Sequence, residues 1–230
     1  MSLATQASPA SGVQVFVEAW TWLPYLLQGF LFNLLISAVA MGLGTGFGLG
    51  VARLRMSQRR GVQRSGRALT ELTRNVPTFV FLYYLAFMLP AEFSLPGISG
   101  LITVPGWLKA SLALSIAVTG FCADNLGTAI QAWRTGEHGR ALLFLPSWAG
   151  YALIIVMASS TASVIGVPEL LSRCNTVIGA TGNTAMMLPL YLMACAIFLL
   201  SCWPLIRLMD RIKRGMMERL QQADPADRHG

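Results

Sequence analysis

The chain has 230 residues, of which 54% are hydrophobic and only 12% charged, with a formal net charge of +7. A charged fraction about half that of soluble domains excludes an ordinary water-soluble fold. The basic residues sit at the ends of apolar runs, with no aromatics interleaved for stacking on RNA, which excludes a nucleic-acid surface.

Of the 17 Lys and Arg residues, none precedes Arg53, and 15 fall into three clusters. These are Arg53 to Arg74 with seven, the pair Arg134 and Arg140, and Arg207 to Arg228 with six. The intervening segments 1–22, 91–106 and 159–183 carry only Arg173. Short loops rich in Lys and Arg stay on the cytoplasmic side of a membrane. The pattern therefore predicts an integral membrane protein, with its arginines against anionic lipid headgroups.

In chain order, residues 1–22 form an external segment in which Val13–Trp22, with Trp20 and Trp22, anchors at the outer surface. A crossing helix needs ~20 residues. The first apolar run, Tyr25–Ala52, contains Gly42, Gly44, Gly46, Gly48 and Gly50 without the GK[ST] or GxGxxG of a nucleotide loop. On a helix Gly42, Gly46 and Gly50 align as a smooth ridge, expected to admit another helix closely. The second run, Leu72–Leu89, is expected to bend at Pro77 and free the carbonyl of residue 73. Pro90, Pro96 and Pro105 mark an outer connection whose stretch Leu95–Thr103 is expected at the interface.

The third run is Trp107–Trp133, the fourth a short Ala141–Ala158, and the fifth Thr184–Ile206. Five crossings place the N-terminus outside and the C-terminus in the cytoplasm, and each arginine cluster then lands inside. Residues 23–207 thus form an all-α transmembrane domain with five helices. After Ile206, the positions Leu208, Met209, Ile212, Met216 and Leu220 describe an amphipathic helix fading into a disordered tail at Asp224–Gly230. Residues 208–230 are the cytoplasmic C-terminal tail.

Asp124 is the one acid deep in an apolar run, about two-thirds of the way along the third span at ~1.5 Å per residue. Gly120, Asp124, Thr128 and Gln131 share a helix face, while Ser111, Ser115 and Thr119 line another. An intramembrane acid faces a cavity or a partner. Asp124 is thus either beside a translocation path with Thr128 or a structural acid. As a structural acid it would bond a neighbouring helix or pair with Arg134. Ser159, Ser160, Thr161 and Ser163 follow the fourth span; such hydroxyls satisfy carbonyls where a helix unwinds, line a polar cavity, or cap a helix at the outer face. Glu71 and Arg74 have i,i+3 spacing suited to an ion pair at the cytoplasmic end of the second span.

No catalytic constellation is visible. His138 and His229 lie far from any nucleophile, and Glu137 is adjacent to His138 rather than spaced as in HExxH. Four cysteines without CxxC spacing give neither a metal site nor a disulfide framework. No Walker motif is present, so this chain carries no cofactor of its own and no means to hydrolyse ATP alone.

Glu71-Leu-Thr-Arg-Asn-Val-Pro77, followed by Val80, resembles the Glu-x-x-Arg-Gly/Asn-x-Pro opening of the second span in permease subunits of polar amino-acid ABC importers. The resemblance continues at Ala123-Asp124, where the family usually has Ala-Glu. It is strongest at Ser159-Ser-Thr-Ala-Ser-Val-Ile-Gly-Val-Pro-Glu-Leu-Leu171, and it covers roughly residues 22–214. The departures are Leu126-Gly127-Thr128 for an Arg-Gly pair and Met157-Ala158 for Lys-Asp or Lys-Asn. The loop Gly136-Glu-His-Gly-Arg140-Ala-Leu-Leu stands where the family carries a longer docking helix.

The resemblance implies a type I importer permease of the bacterial inner membrane, forming half of a path for amino acids or similar small polar solutes. It implies cytoplasmic ATPase subunits that use the ATP, a second permease subunit in a homo- or heterodimer, and an external solute-binding protein. The path would use Asp124, Thr128, Ser159, Ser160, Thr161 and Ser163, with Pro77 supplying the bend. Gly136, Glu137, His138, Gly139 and Arg140 would be the residual ATPase-coupling loop. Only about eight residues, Arg134–Ala141, separate the third and fourth spans, ~12 Å even as a helix. A protruding docking helix fits there only if the third and fourth spans end earlier than these bounds. A degenerate, non-transporting scaffold and an ion-coupled carrier using Asp124 are the alternative expectations.

Overall fold

The computed structural model describes residues 12–94 and 101–223. After a ten-residue helix α1 (Gly12–Thr21), the first apolar run becomes one helix, α2 (Leu23–Arg55). Proline near its first position and arginines in its last turn suit the two ends. Its alternating glycines survive in helix because a second long helix, α5 (Gly106–Arg134), packs along it. A Cβ on Gly44 would stand 2.4 Å from the Cβ of Val118, and one on Gly48 2.4 Å from that of Cys122. Around Gly42, Gly46 and Gly50 a Cβ would meet nothing. The buried ridge is therefore Gly44–Gly48, and the expected stripe of Gly42, Gly46 and Gly50 is corrected. Two i,i+4 stripes interleave on α2, and spacing does not say which one the neighbour covers.

The seven-arginine segment is mostly a helix, α3 (Arg60–Asn75), amphipathic and laid against α2 and α5. Gly66 lets it approach the backbone of Arg55, and Gly120 of α5 lets Thr73 approach within what would be 2.8 Å of a Cβ. Pro77 does more than bend the second span. It ends α3 and caps a separate helix, α4 (Thr78–Met88), with Val76 and Pro77 extended between them. The expected single helix over residues 72–89 is thus two pieces. The 11 residues of α4 are ~16 Å long, about half the hydrocarbon thickness.

Lys109, nearly buried in α5, donates from Nζ to the carbonyls of Ala86 (3.2 Å) and Leu89 (2.7 Å), a cation on the C-terminal end of α4. Beyond α4, β1 (Glu92–Ser94) pairs antiparallel with β2 (Leu101–Thr103), Phe93 opposite Ile102. The remainder of the stretch expected at the interface, residues 95–100, lies outside the described residues.

After α5 the chain turns at Gly136 (φ 85°) into a five-residue helix, α6 (His138–Leu142), then α7 (Phe144–Ala158) and a 3-10 turn over Ser159–Ile165. Together these give an apolar stretch of 28 residues, His138–Ile165, longer than the fourth span read from sequence. A short helix, α8 (Leu170–Thr181), precedes α9 (Met187–Ala223), which carries Pro204 inside it and continues unbroken through Ile206. The tail 224–230 lies outside the described residues.

Among the described residues four helical stretches are long and apolar enough to cross a membrane: Leu23–Arg55, Gly106–Arg134, His138–Ile165 and Thr184–Glu218. One apolar cluster joins α2, α4, α5 and α7 around Ile36, Met41, Leu114 and Val118. A second joins α1, α2, α8 and α9 around Leu26, Leu170, Met186 and Leu190. Val15 and Ala19 of α1 are buried in the second cluster, while Trp20 is exposed. Leu31, Phe47, Phe87, Leu188 and Leu200 are also exposed, as expected where the solvent is lipid.

Candidate site at the break between α3 and α4

The break at Pro77 sits beside a cavity of about 350 Å³. Thr73, Arg74 and Val76 at the end of α3, Thr78 at the start of α4, Ala117, Phe121, Asp124 and Asn125 of α5, and Tyr151 of α7 line it. A broken helix leaves terminal N–H and C=O groups without intrahelical partners, so backbone polarity joins side-chain polarity here. The rings of Phe121 and Tyr151 stack at 4.0 Å with planes 3° apart. Tyr151 Oη donates to the carbonyl of Ala117 (3.3 Å), and Asn125 Nδ2 to that of Phe121 (2.8 Å).

Asp124 is the charged centre of this wall. Its Oδ1 accepts from Arg55 of α2 and its Oδ2 from Arg74 of α3, so one carboxylate fastens three helices. Two guanidiniums on one carboxylate leave a local charge of +1. Of the two structural partners left open, neighbouring helices are the ones used; Arg134 lies more than two helical turns further along α5. The expected Glu71–Arg74 pair is corrected, because Arg74 reaches across to Asp124. An ion pair to a half-buried acid on a packed neighbour outweighs an exposed i,i+3 pair.

The other path candidates sit elsewhere. Thr128 is exposed and donates to the carbonyl of Asp124 (3.2 Å) within α5. Ser159, Ser160, Thr161 and Ser163 donate to the carbonyls of Val156, Met157, Ala158 and Ser160 at 2.7–2.8 Å. Of the uses open to these hydroxyls, satisfying carbonyls where the α-helix tightens to 3-10 is the one seen, and none of them lines the Asp124 cavity. In the candidate coupling turn, Arg140 pairs with Glu137 (2.9 Å) and His138 rests on Trp133 with ring centres 4.4 Å apart. Gly136 supplies the left-handed turn, and Gly139 falls within α6.

One polar group was not anticipated. Asn33, fully buried in α2, donates from Nδ2 to Ser159 Oγ (2.8 Å) and Glu169 Oε2 (2.9 Å), and accepts from the N–H of Leu170 (3.1 Å). Glu169, also fully buried, caps α8 by accepting from the N–H groups of Ser172 (2.7 Å) and Leu171 (3.1 Å). Arg173 fastens the same corner, bonding Tyr25 O (2.8 Å) and lying 4.5 Å over the Tyr25 ring. A lone Asn in the run Phe30–Ile36 was the available signal.

Burial pushes the Glu169 carboxyl above the ordinary carboxylate range, against the opposing pull of the bonds from Asn33, Ser172 and Leu171. A raised value favours the protonated acid in the fold. Its stabilising contribution is therefore full below the ordinary carboxylate pKa and is lost as pH rises through the raised one. We expect Asn33→Leu to cost about 1–2 kcal/mol, since it strands a buried acceptor and the Leu170 N–H. It should also steepen the gain in thermal stability on mild acidification, and Glu169→Gln should flatten that gain. Equal pH profiles for the three proteins would contradict the assignment.

Among the described residues no group of His, Cys, Asp and Glu is placed to hold a metal ion. No protein-family model matches the chain. It is 27% identical over 189 residues to the octopine transport system permease protein OccQ of Rhizobium meliloti, covering 72% of this chain and 78% of the relative. It is 29% identical over 179 residues to the "Probable amino-acid ABC transporter permease protein YckA" of Bacillus subtilis, covering 68% and 74%. The "Probable glutamine ABC transporter permease protein GlnP" of the same species is 22% identical over 188 residues, with 76% and 86% covered. The fold matches the crystal structure of an amino acid ABC transporter with histidines at a TM-score of 0.72, over 86% of this chain and 97% of that one, at 19% identity. The chain is a multi-pass membrane protein that resembles in sequence the permease subunits of amino-acid ABC transporters and in fold a chain of an amino acid ABC transporter.

Proposed function

We propose that this chain is the membrane-spanning permease subunit of an ATP-driven importer for amino acids or similar small polar solutes, in a bacterial inner membrane. The observation that carries the reading is the polar cavity at the α3–α4 break, where Arg74 is held by Asp124, in a chain related to permeases. Thr73, Arg74, Thr78, Asn125 and Tyr151 offer hydroxyl, amide and guanidinium groups suited to a carboxylate-bearing solute. Asp124 holds Arg74 in place by their ion pair. Thr128 and Ser159–Ser163 then serve helix geometry rather than the path.

The chain would form half of the translocation path beside a second permease subunit, with cytoplasmic ATPases hydrolysing the ATP and an external binding protein delivering solute. The brevity of the turn between α5 and α6 favours a heteromeric pair in which the partner subunit makes the main ATPase contact. The test is uptake of labelled amino acids into proteoliposomes holding this chain, the ATPase and the second permease. Uptake is expected to require all three and ATP. Uptake that persists without the ATPase and collapses with an ion gradient would establish a secondary carrier instead. Unchanged uptake per assembled complex in Arg74→Ala and Thr78→Val would remove the cavity from the path and favour the scaffold reading.

A further inference from the structure

Two cations at the adjoining ends of α2 and α5 have no partner among the described residues. Arg53 in the last turn of α2 and Arg134 at the end of α5 are exposed, and neither makes a hydrogen bond or ion pair with any described residue. Arg55 and Arg74, by contrast, are both bound to Asp124. Arg53 and Arg134 stand over one cleft of about 440 Å³, whose other walls are Leu49, Met56 and Ile130. No acid lines it.

Depth decides what fits. At ~1.5 Å per residue the 33 residues of α2 are ~50 Å long and the 29 of α5 ~43 Å, against a hydrocarbon core of ~30 Å. The last turns of both helices therefore lie at headgroup level, while Leu49, one turn before Arg53, is closer to the acyl chains. Both helix ends present carbonyls and a partial negative charge, so an anion entering here must be held by the guanidiniums and not by backbone. Guanidinium groups grip phosphate through paired N–H donors, and the apolar wall accepts glycerol and the first methylenes. The geometry points to a specific binding site for an anionic phospholipid, its phosphate between Arg53 and Arg134 and its glycerol end against Leu49, Met56 and Ile130. The site rests on the membrane placement of α2 and α5 and not on transport.

The test titrates the full-length chain, purified in neutral detergent, with phosphatidylglycerol, with phosphatidylcholine of the same acyl chains, and with inorganic phosphate. Thermal unfolding and retained lipid by native mass spectrometry are the two readouts. Phosphatidylglycerol is expected to raise the midpoint and to be retained, and the other two additions to do neither. Arg53→Gln with Arg134→Gln should weaken the phosphatidylglycerol affinity about thirtyfold. Arg64→Gln with Arg67→Gln, a matched loss of charge on α3, should leave it intact. Retention is read per folded chain, so a lower basal midpoint does not blur the result. An equal response to phosphatidylcholine overturns the proposal, as does a full response to inorganic phosphate alone. Equal losses in the two double variants overturn it too, since they would indicate diffuse surface charge. Occupation of the arginines by an ATPase, with no phosphatidylglycerol response, would assign the cleft to a protein partner.

Discussion

Leucine at Gly48 is expected to abolish the folded chain in membranes, while leucine at Gly46, two residues away, leaves it folded. A Cβ at position 48 would sit 2.4 Å from Cys122 Cβ and 3.1 Å from the Thr119 carbonyl, both fixed parts of α5. Neither can swing aside, so the two longest-paired helices must separate and expose the cluster around Ile36, Leu114 and Val118. Overpacking of this kind costs about 3 kcal/mol or more. At Gly46 nothing stands within 4 Å, and the residue borders an open apolar groove of about 560 Å³. A side chain there also removes glycine's helix penalty of about 1 kcal/mol. The measurement is the monodisperse fraction on size exclusion and the thermal midpoint of the isolated chain. Gly48→Ala combined with Cys122→Gly should recover most of what Gly48→Ala loses. Damage from leucine at Gly46 with none at Gly48 would show that α2 presents its other face to α5.

The second large effect is expected at Asp124. Asp124→Ala leaves Arg55 and Arg74 facing each other with no anion between them. Breaking a buried pair costs 3–5 kcal/mol; side-chain exposures of 28% for Asp124, 31% for Arg55 and 61% for Arg74 admit enough solvent to bring this to about 2–4 kcal/mol. Arg74→Ala should cost less than Arg55→Ala, because its guanidinium is the more exposed. Hydrogen exchange should accelerate across α3 in Asp124→Ala and hardly change in α9. The loss should shrink at high salt, which screens the two guanidiniums from each other. Unchanged protection of α3 would show that packing at Gly66 and Gly120 holds that helix by itself.

The sequence carried the membrane class, the places of the long apolar helices and the nearness of Asp124 to something polar, because each is encoded locally. Which partner Asp124 takes is not local. Arg55, Arg74 and Arg134 were all within sequence reach of the same membrane face, and only the packing of α3 across α2 and α5 selects two of them. Pro77 announced a disturbance, but bend or break depends on whether each half finds support. Here α3 lies on Gly120, and Lys109 holds the far end of α4, so a break is tolerated. The Asn33–Glu169 contact spans 136 residues and leaves no local trace beyond one Asn among leucines. In sequence, the hydroxyls after α7 that bond their own carbonyls look the same as hydroxyls open to a cavity.

Lys109 and Asp124 lie on one helix, fifteen residues and about 22 Å apart. One grips the end of α4 and the other the end of α3, so both halves of the interrupted segment are bolted to a single chassis. The gap between them at Pro77 is then a notch cut in a rigid frame and not a joint. Its width follows from the length of α5 between the two bolts. Lengthening or shortening α5 within Ala110–Ala123 would resize the opening, whereas loosening residues 76–77 would not.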